Sequence, residues 1–183
     1  VDARAPGNTV DAVRAYGAAR QIDPRLIEQW LGWASGDATA LLDVADALRL
    51  GSNHLGDVMT WLEEIAARDG IAPADALCAP AIRGVLSTRL GRSDKLKRVK
   101  AVLRSQRFPR LVAVERALDA AIRDLGLGAG VTVRFPPGLD GDELTIEVRA
   151  RRSEGLRDAT TRLHAAVSDG GFDRVFALLD EAS

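Results

Sequence analysis

Lys95, Lys97 and Lys100 are the only lysines in a chain of 183 residues that carries 22 arginines. They lie in residues 92–110, RSDKLKRVKAVLRSQRFPR, where eight cations (Arg92, Lys95, Lys97, Arg98, Lys100, Arg104, Arg107 and Arg110) stand against one acid, Asp94. The stretch carries +7, while residues 1–91 hold 8 arginines and 12 acids and residues 111–183 hold 9 arginines and 13 acids, −4 each. Ammonium and guanidinium groups at this density suit a polyanionic partner, whose phosphates or carboxylates they neutralise. On that reading Lys95, Lys97, Arg98, Lys100, Arg104 and Arg107 are the candidate phosphate contacts, with binding that weakens steeply as salt rises. The competing reading is a solvated linker helix whose cations pair with the acidic segments on either side.

A second set of polar residues follows a different pattern. Over 41–62, Ala45 is a small residue where two helices must approach, and Leu48, Leu50, Leu55 and Val58 follow at the spacing of core positions in a helix-turn-helix. Gly51-Ser52 lies near the turn, and Arg49 takes the place where the motif usually has Gly. In that motif the N-terminal residues of the second helix read base edges in the major groove, and here they are Ser52, Asn53 and His54. The proposed reading helix also carries Asp57, Glu63 and Glu64, with no cation before Arg68. An ordinary pair of packed helices satisfies the same spacing.

Catalytic and metal chemistry find little to work with. The two histidines, His54 and His164, have no carboxylate or thiol at ligand spacing. Cys78 sits among Ala, Leu and Pro with no base beside it and reads as a packed residue. Gly126-Leu127-Gly128 precedes a strand rather than a helix, the wrong setting for a phosphate loop. Asp140-Gly141-Asp142 reads as a turn, since the ligand series of a calcium loop stops there. No catalytic residue, cofactor or metal is expected. A lone cysteine excludes an internal disulfide framework and suits a reducing, cytoplasmic setting. No apolar run reaches the roughly 18 residues of a membrane span. The chain opens without Met on VDARAPGNT, which reads as a loose lead over 1–9 and as a piece of a longer protein.

The elements that position these residues follow from periodicity. Helices are expected over 10–20, from Asp23-Pro24 through Trp33 to a stop at Gly36, then over 37–49, 55–67, 73–77 and 80–86. Ser93-Asp94 is expected to cap a helix with an apolar seam of Leu96, Val99 and Leu103 that breaks at Phe108-Pro109. A further helix carries Leu111, Val114, Leu118, Ile122 and Leu125. The period then shifts from 3.6 to 2 over 131–135 and 144–149, two strands with one apolar face each (Val131, Val133, Phe135; Leu144, Ile146, Val148). Ser153 is expected to cap another helix, and a short terminal helix carries Val175, Phe176 and Leu179. The expected fold class is α+β and mainly α. It comprises an N-terminal helical domain over 1–91, a basic connecting helix over 92–110 and an α-β-β-α unit over 111–183. Two strands do not make a stable sheet by themselves, so pairing with a second copy of the unit is the simplest way to cover the open edges.

LVAVERALDAAIRDLGLGAGVTVRF, followed by DELTIEVRA and RRSEGLRDATTRL, resembles the C-terminal dimerisation domain of ParB-type chromosome-segregation proteins. The resemblance covers about 55 residues. It implies a homodimer formed through the sheet and the helix after it, in a DNA-binding protein with a helix-turn-helix upstream. In that family lysines near the sheet bind DNA without sequence preference. The polar strand positions here (Thr132, Arg134, Thr145, Glu147, Arg149) are mixed in charge, so dimerisation is the part that carries over. The expected partners are therefore DNA or another polyanion and a second copy of the chain, with no membrane. The alternative is a protein-interaction or accessory module docking on an acidic partner, or the regulatory part of a larger enzyme.

Overall fold

The computed structural model describes residues 6–139, 141 and 143–181. Asp140 and Asp142 of the expected turn, and the first five residues of the expected lead, lie outside that range. The described chain is mainly helical with one small antiparallel sheet, and it divides into two compact units, Val1–Arg107 and Phe108–Ser183.

The first unit holds α1 (Pro6–Arg20), α2 (Pro24–Leu31), α3 (Ser35–Leu48), α4 (Ser52–Asp69), α5 (Pro73–Leu77), α6 (Pro80–Ser87) and α7 (Arg92–Arg107). Asp23 caps α2 as its position before Pro24 predicts, its Oδ1 accepting from the Arg25 N–H at 2.9 Å. Several boundaries differ from expectation, and α4 starts at Ser52 and ends at Asp69 rather than spanning 55–67. α1 begins at Pro6, inside the expected lead. α2 ends at Leu31 rather than continuing through Trp33, because the Gly32 N–H closes the last turn on Glu28 and Gln29. Trp33 leaves the helix, and α3 starts two residues early, at Ser35. The expected Ser93-Asp94 cap on α7 is not formed; the first turn closes on the Gly91 carbonyl, which accepts from the Lys95 N–H at 3.0 Å.

Leucine, valine and alanine dominate one core, with Trp30 and Tyr16 meeting edge to face at 5.9 Å and the Trp30 indole N–H donating to the Ala38 carbonyl. α7 belongs to this core. Val99 and Leu103 are fully buried in it, and Leu96 and Val102 pack against its edge. The basic segment is thus a packed wall of the first unit rather than a separate connector over 92–110. The unit boundary falls where Phe108-Pro109 breaks the helix, and Arg110 lies in the next element.

The second unit holds α8 (Pro109–Asp124), β1 (Val131–Arg134), β2 (Thr145–Val148), α9 (Ser153–Ser168) and α10 (Gly171–Asp180). Val131 pairs with Val148 and Val133 with Ile146 on one sheet face; Thr132 pairs with Glu147 and Arg134 with Thr145 on the other. Each strand is one or two residues shorter than expected, although the Arg149 N–H still reaches the Gly130 carbonyl at 2.8 Å. The apolar face meets Leu163 and Ala166 of α9, Phe172 and Leu127. Leu118 and Ala121 of α8 pack with Val175 and Leu179 of α10. Ser153 is the first residue of α9 rather than its cap, a place taken by Arg152 without a side-chain hydrogen bond.

Candidate nucleic-acid interface

The helix-turn-helix spacing places its core positions inside. Ala45, Leu48, Leu50, Leu55 and Val58 are all buried. Arg49 holds the turn in the left-handed region, at φ 49°, which costs a residue with a Cβ roughly 1–2 kcal/mol. Two donors hold the same turn. The Tyr16 hydroxyl is shared between the Ala45 and Leu50 carbonyls at 2.9 and 2.8 Å, and Arg20 donates to the Arg49 carbonyl at 2.5 Å. The turn delivers Ser52, Asn53 and His54 as the first turn of α4. Asn53 and His54 are exposed; Ser52 is half-buried, its Oγ accepting from the Asp23 N–H at 3.1 Å.

Contacts on either side of α4 fix the direction of its neighbours. Toward α2, Asp23 meets Ser52, Leu26 lies 3.6 Å from where a Cβ on Gly56 would stand, and Gln29 donates to Glu63 at 2.8 Å. Toward α7, Lys100 pairs with Asp57 at 2.7 Å and Arg107 donates to Glu64 at 2.8 Å. Arg68 donates to the Gln106 and Arg107 carbonyls at 2.7 and 2.6 Å. Residue numbers rise together across both seams, so α2, α4 and α7 run in the same direction and their N-terminal ends lie at one end of the unit. Each helix presents unpaired N–H groups and a partial positive charge there. The same end carries the exposed side chains of Arg25, Asn53, His54, Arg92, Lys97 and Arg98. Its acids include Asp23, used as the α2 cap, Asp94, in the first turn of α7, and exposed Asp46, in the last turn of α3; α1, α3 and α6 also finish there, and their C-terminal carbonyls offset the helix-end charge.

The predicted phosphate contacts therefore separate into two groups. Lys97 and Arg98 face solvent. The Lys95 ammonium donates to the Leu86 carbonyl at 2.7 Å and ties α7 to α6. Lys100 and Arg107 are held by Asp57 and Glu64, with the Trp61 ring 5.2 Å from the Lys100 ammonium and 5.8 Å from the Arg107 guanidinium. Arg104 is half-buried and also engaged. The self-pairing reading of the basic helix thus holds for Lys100 and Arg107. The acids that counted against α4 as a reading helix have partners too, since Glu63 accepts from Gln29 and, at 3.0 Å, from the Trp33 indole.

Sequence reasoning did not single out Trp61 and Arg68, or give Asp57 and Glu64 a partner. Their spacing with one another (57, 61, 64, 68) is one face of a helix, and that signal was available. Arg25 was also passed over, because only the packing of α2 on α4 brings it to this end. Cys78 is exposed rather than packed, and its N–H closes the end of α5 on Ala74. Among the described residues no group of three or more His, Cys, Asp or Glu side chains is placed to hold a metal, and no helix is long and apolar enough to cross a membrane. No family model matches the chain, and no curated protein or solved structure shows significant similarity to it.

Proposed function

We propose that the chain is a non-catalytic nucleic-acid-binding protein that acts as a homodimer in a reducing compartment such as the cytoplasm. The observation that carries the reading is the shared direction of α2, α4 and α7. It gathers Arg25 of α2, Lys97 and Arg98 of α7, and Asn53 and His54 of α4 at one end of the first unit. Two clusters about 40 residues apart in the chain become one surface with cations for phosphates and amide and imidazole groups for base edges. The homodimer is favoured by the second unit, whose sheet has two strands and no third among the described residues, and whose α9 leaves two large apolar side chains outside. Ala159 and Ala166 are its buried residues, while Leu156 and Val167 are 51% and 61% exposed. An exposed Cys78 thiol is stable in a reducing setting.

Binding of the full chain to a generic duplex across a salt series tests this, with Lys97→Glu/Arg98→Glu measured in parallel. Both residues are exposed, so the variant keeps the fold. The expected result is a log–log salt slope that flattens by about 1.8 in the variant, two phosphate contacts at about 0.9 each. A weak, flat response in both proteins would instead favour the second reading, a protein-interaction module with an acidic partner. That reading is supported by the internal pairing of Lys100 and Arg107, which withdraws two of the six predicted phosphate contacts.

A further inference from the structure

We infer that Asp57 and Glu64 are built-in counter-anions that mask a second tier of phosphate contacts, Lys100 and Arg107; the inference rests on the nucleic-acid reading above. The carboxylates lie outside the cations they hold. The Lys100 side chain is 23% exposed against 49% for Asp57, and the Arg107 side chain 25% against 45% for Glu64. A polyanion approaching α7 on this side meets the carboxylates first. Asp57 and Glu64 stand seven residues apart on α4, about 10 Å along its axis, and present to α7 the same acceptor chemistry as two phosphates. The cations do not depend on the carboxylates alone for their position. Both rest against the Trp61 ring, at 5.2 and 5.8 Å, and cation–π attraction keeps them in place when a carboxylate loses its charge. Exposed ion pairs are held weakly and exchange readily for another anion. Lys97 and Arg98 therefore form the contact open from the start, and Lys100 and Arg107 join when phosphates displace the internal acids.

The test is the full chain carrying Asp57→Asn and Glu64→Gln, which keeps one acceptor oxygen at each position, replaces the other with an amide NH2 and removes the charge. Its binding to a 20-bp duplex is compared with that of the unsubstituted chain from low to moderate salt, with thermal unfolding as a check on the fold. The expected result is binding on the order of tenfold tighter near 0.1 M salt with a log–log slope parallel to that of the unsubstituted chain, because both proteins engage the same phosphates once the acids are displaced. Binding by the variant where the unsubstituted chain shows none would support the mask in its strongest form. Equal or weaker binding, while the unsubstituted chain binds, would overturn the mask and leave the nucleic-acid reading intact. Absence of binding by both proteins would remove the reading and the mask together.

Discussion

The Tyr16 hydroxyl reaches the Ala45 and Leu50 carbonyls from α1, across 29 and 34 residues of sequence, and so fixes the turn that sets out Ser52, Asn53 and His54. The Ala45 carbonyl also accepts from the Leu50 N–H at 3.0 Å, so the Leu50 carbonyl is the one that loses most with the hydroxyl. Tyr16→Phe is expected to lower stability by about 1–2 kcal/mol in urea unfolding. The same residue gives a pH signature. Burial raises its pKa above the ordinary 10.0, against an opposing pull from the Arg20 charge and hydrogen bond. A group that holds its proton more tightly when folded adds stability below its unfolded pKa, and that stability is lost as pH rises through the folded value. The native chain is therefore expected to lose stability above about pH 10 more steeply than Tyr16→Phe, as followed by denaturation midpoints at alkaline pH. Tyr16 was visible in the sequence only as one member of a weak helical stripe. The two carbonyls it serves belong to another helix pair, and no spacing within α1 could point to them.

At the scale of elements, α7 illustrates what local pattern carries and what it omits. Leu96, Val99 and Leu103 at helical spacing were enough to place a one-sided helix, and Val99 and Leu103 are buried as that seam requires. Asp23-Pro24 and the alternation around Val131 and Ile146 were legible for the same reason: each is a signal carried by near neighbours. What the cations do was not legible, because the partners of Lys100 and Arg107 lie 43 residues away on α4. Pairing across that distance depends on helix direction, which composition does not encode. The caps expected at Ser93 and Ser153 do not form, because the choice of flanking residue turns on which carbonyl closes the first turn. The α4–α7 seam has its own prediction. Arg68 is the side chain that serves the Gln106 and Arg107 carbonyls at the end of α7. Arg68→Ala is expected to fray that end, so amide exchange over the last turn of α7 should accelerate while Val99 stays protected. Unchanged exchange there would show that the end is held by other contacts.

For the whole molecule, two units share the proposed work: the first offers a cationic end, and the second offers a surface for a second copy. Ile146 and Phe176 are further exposed apolar side chains of the second unit, at 43% and 44%. Ile146 lies on the sheet face that α9 covers. On α9, Thr160 falls on the side of Leu156 and Val167, with its hydroxyl turned inward onto the Leu156 carbonyl at 2.8 Å. Leu156→Glu/Val167→Glu is expected to yield a folded monomer by light scattering at concentrations of tens of micromolar, where the unsubstituted chain is a dimer. A monomer before substitution would exclude this arrangement. A dimer would also carry two cationic ends, which raises avidity for one duplex without any new contact. The most direct test of the central claim is amide chemical-shift mapping of the full chain during titration with a short duplex. The account predicts that shifts concentrate at Arg25, Ser52–His54 and residues 92–98, and disappear in high salt. Shifts confined to the second unit, or spread over the surface without preference for that end, would contradict it.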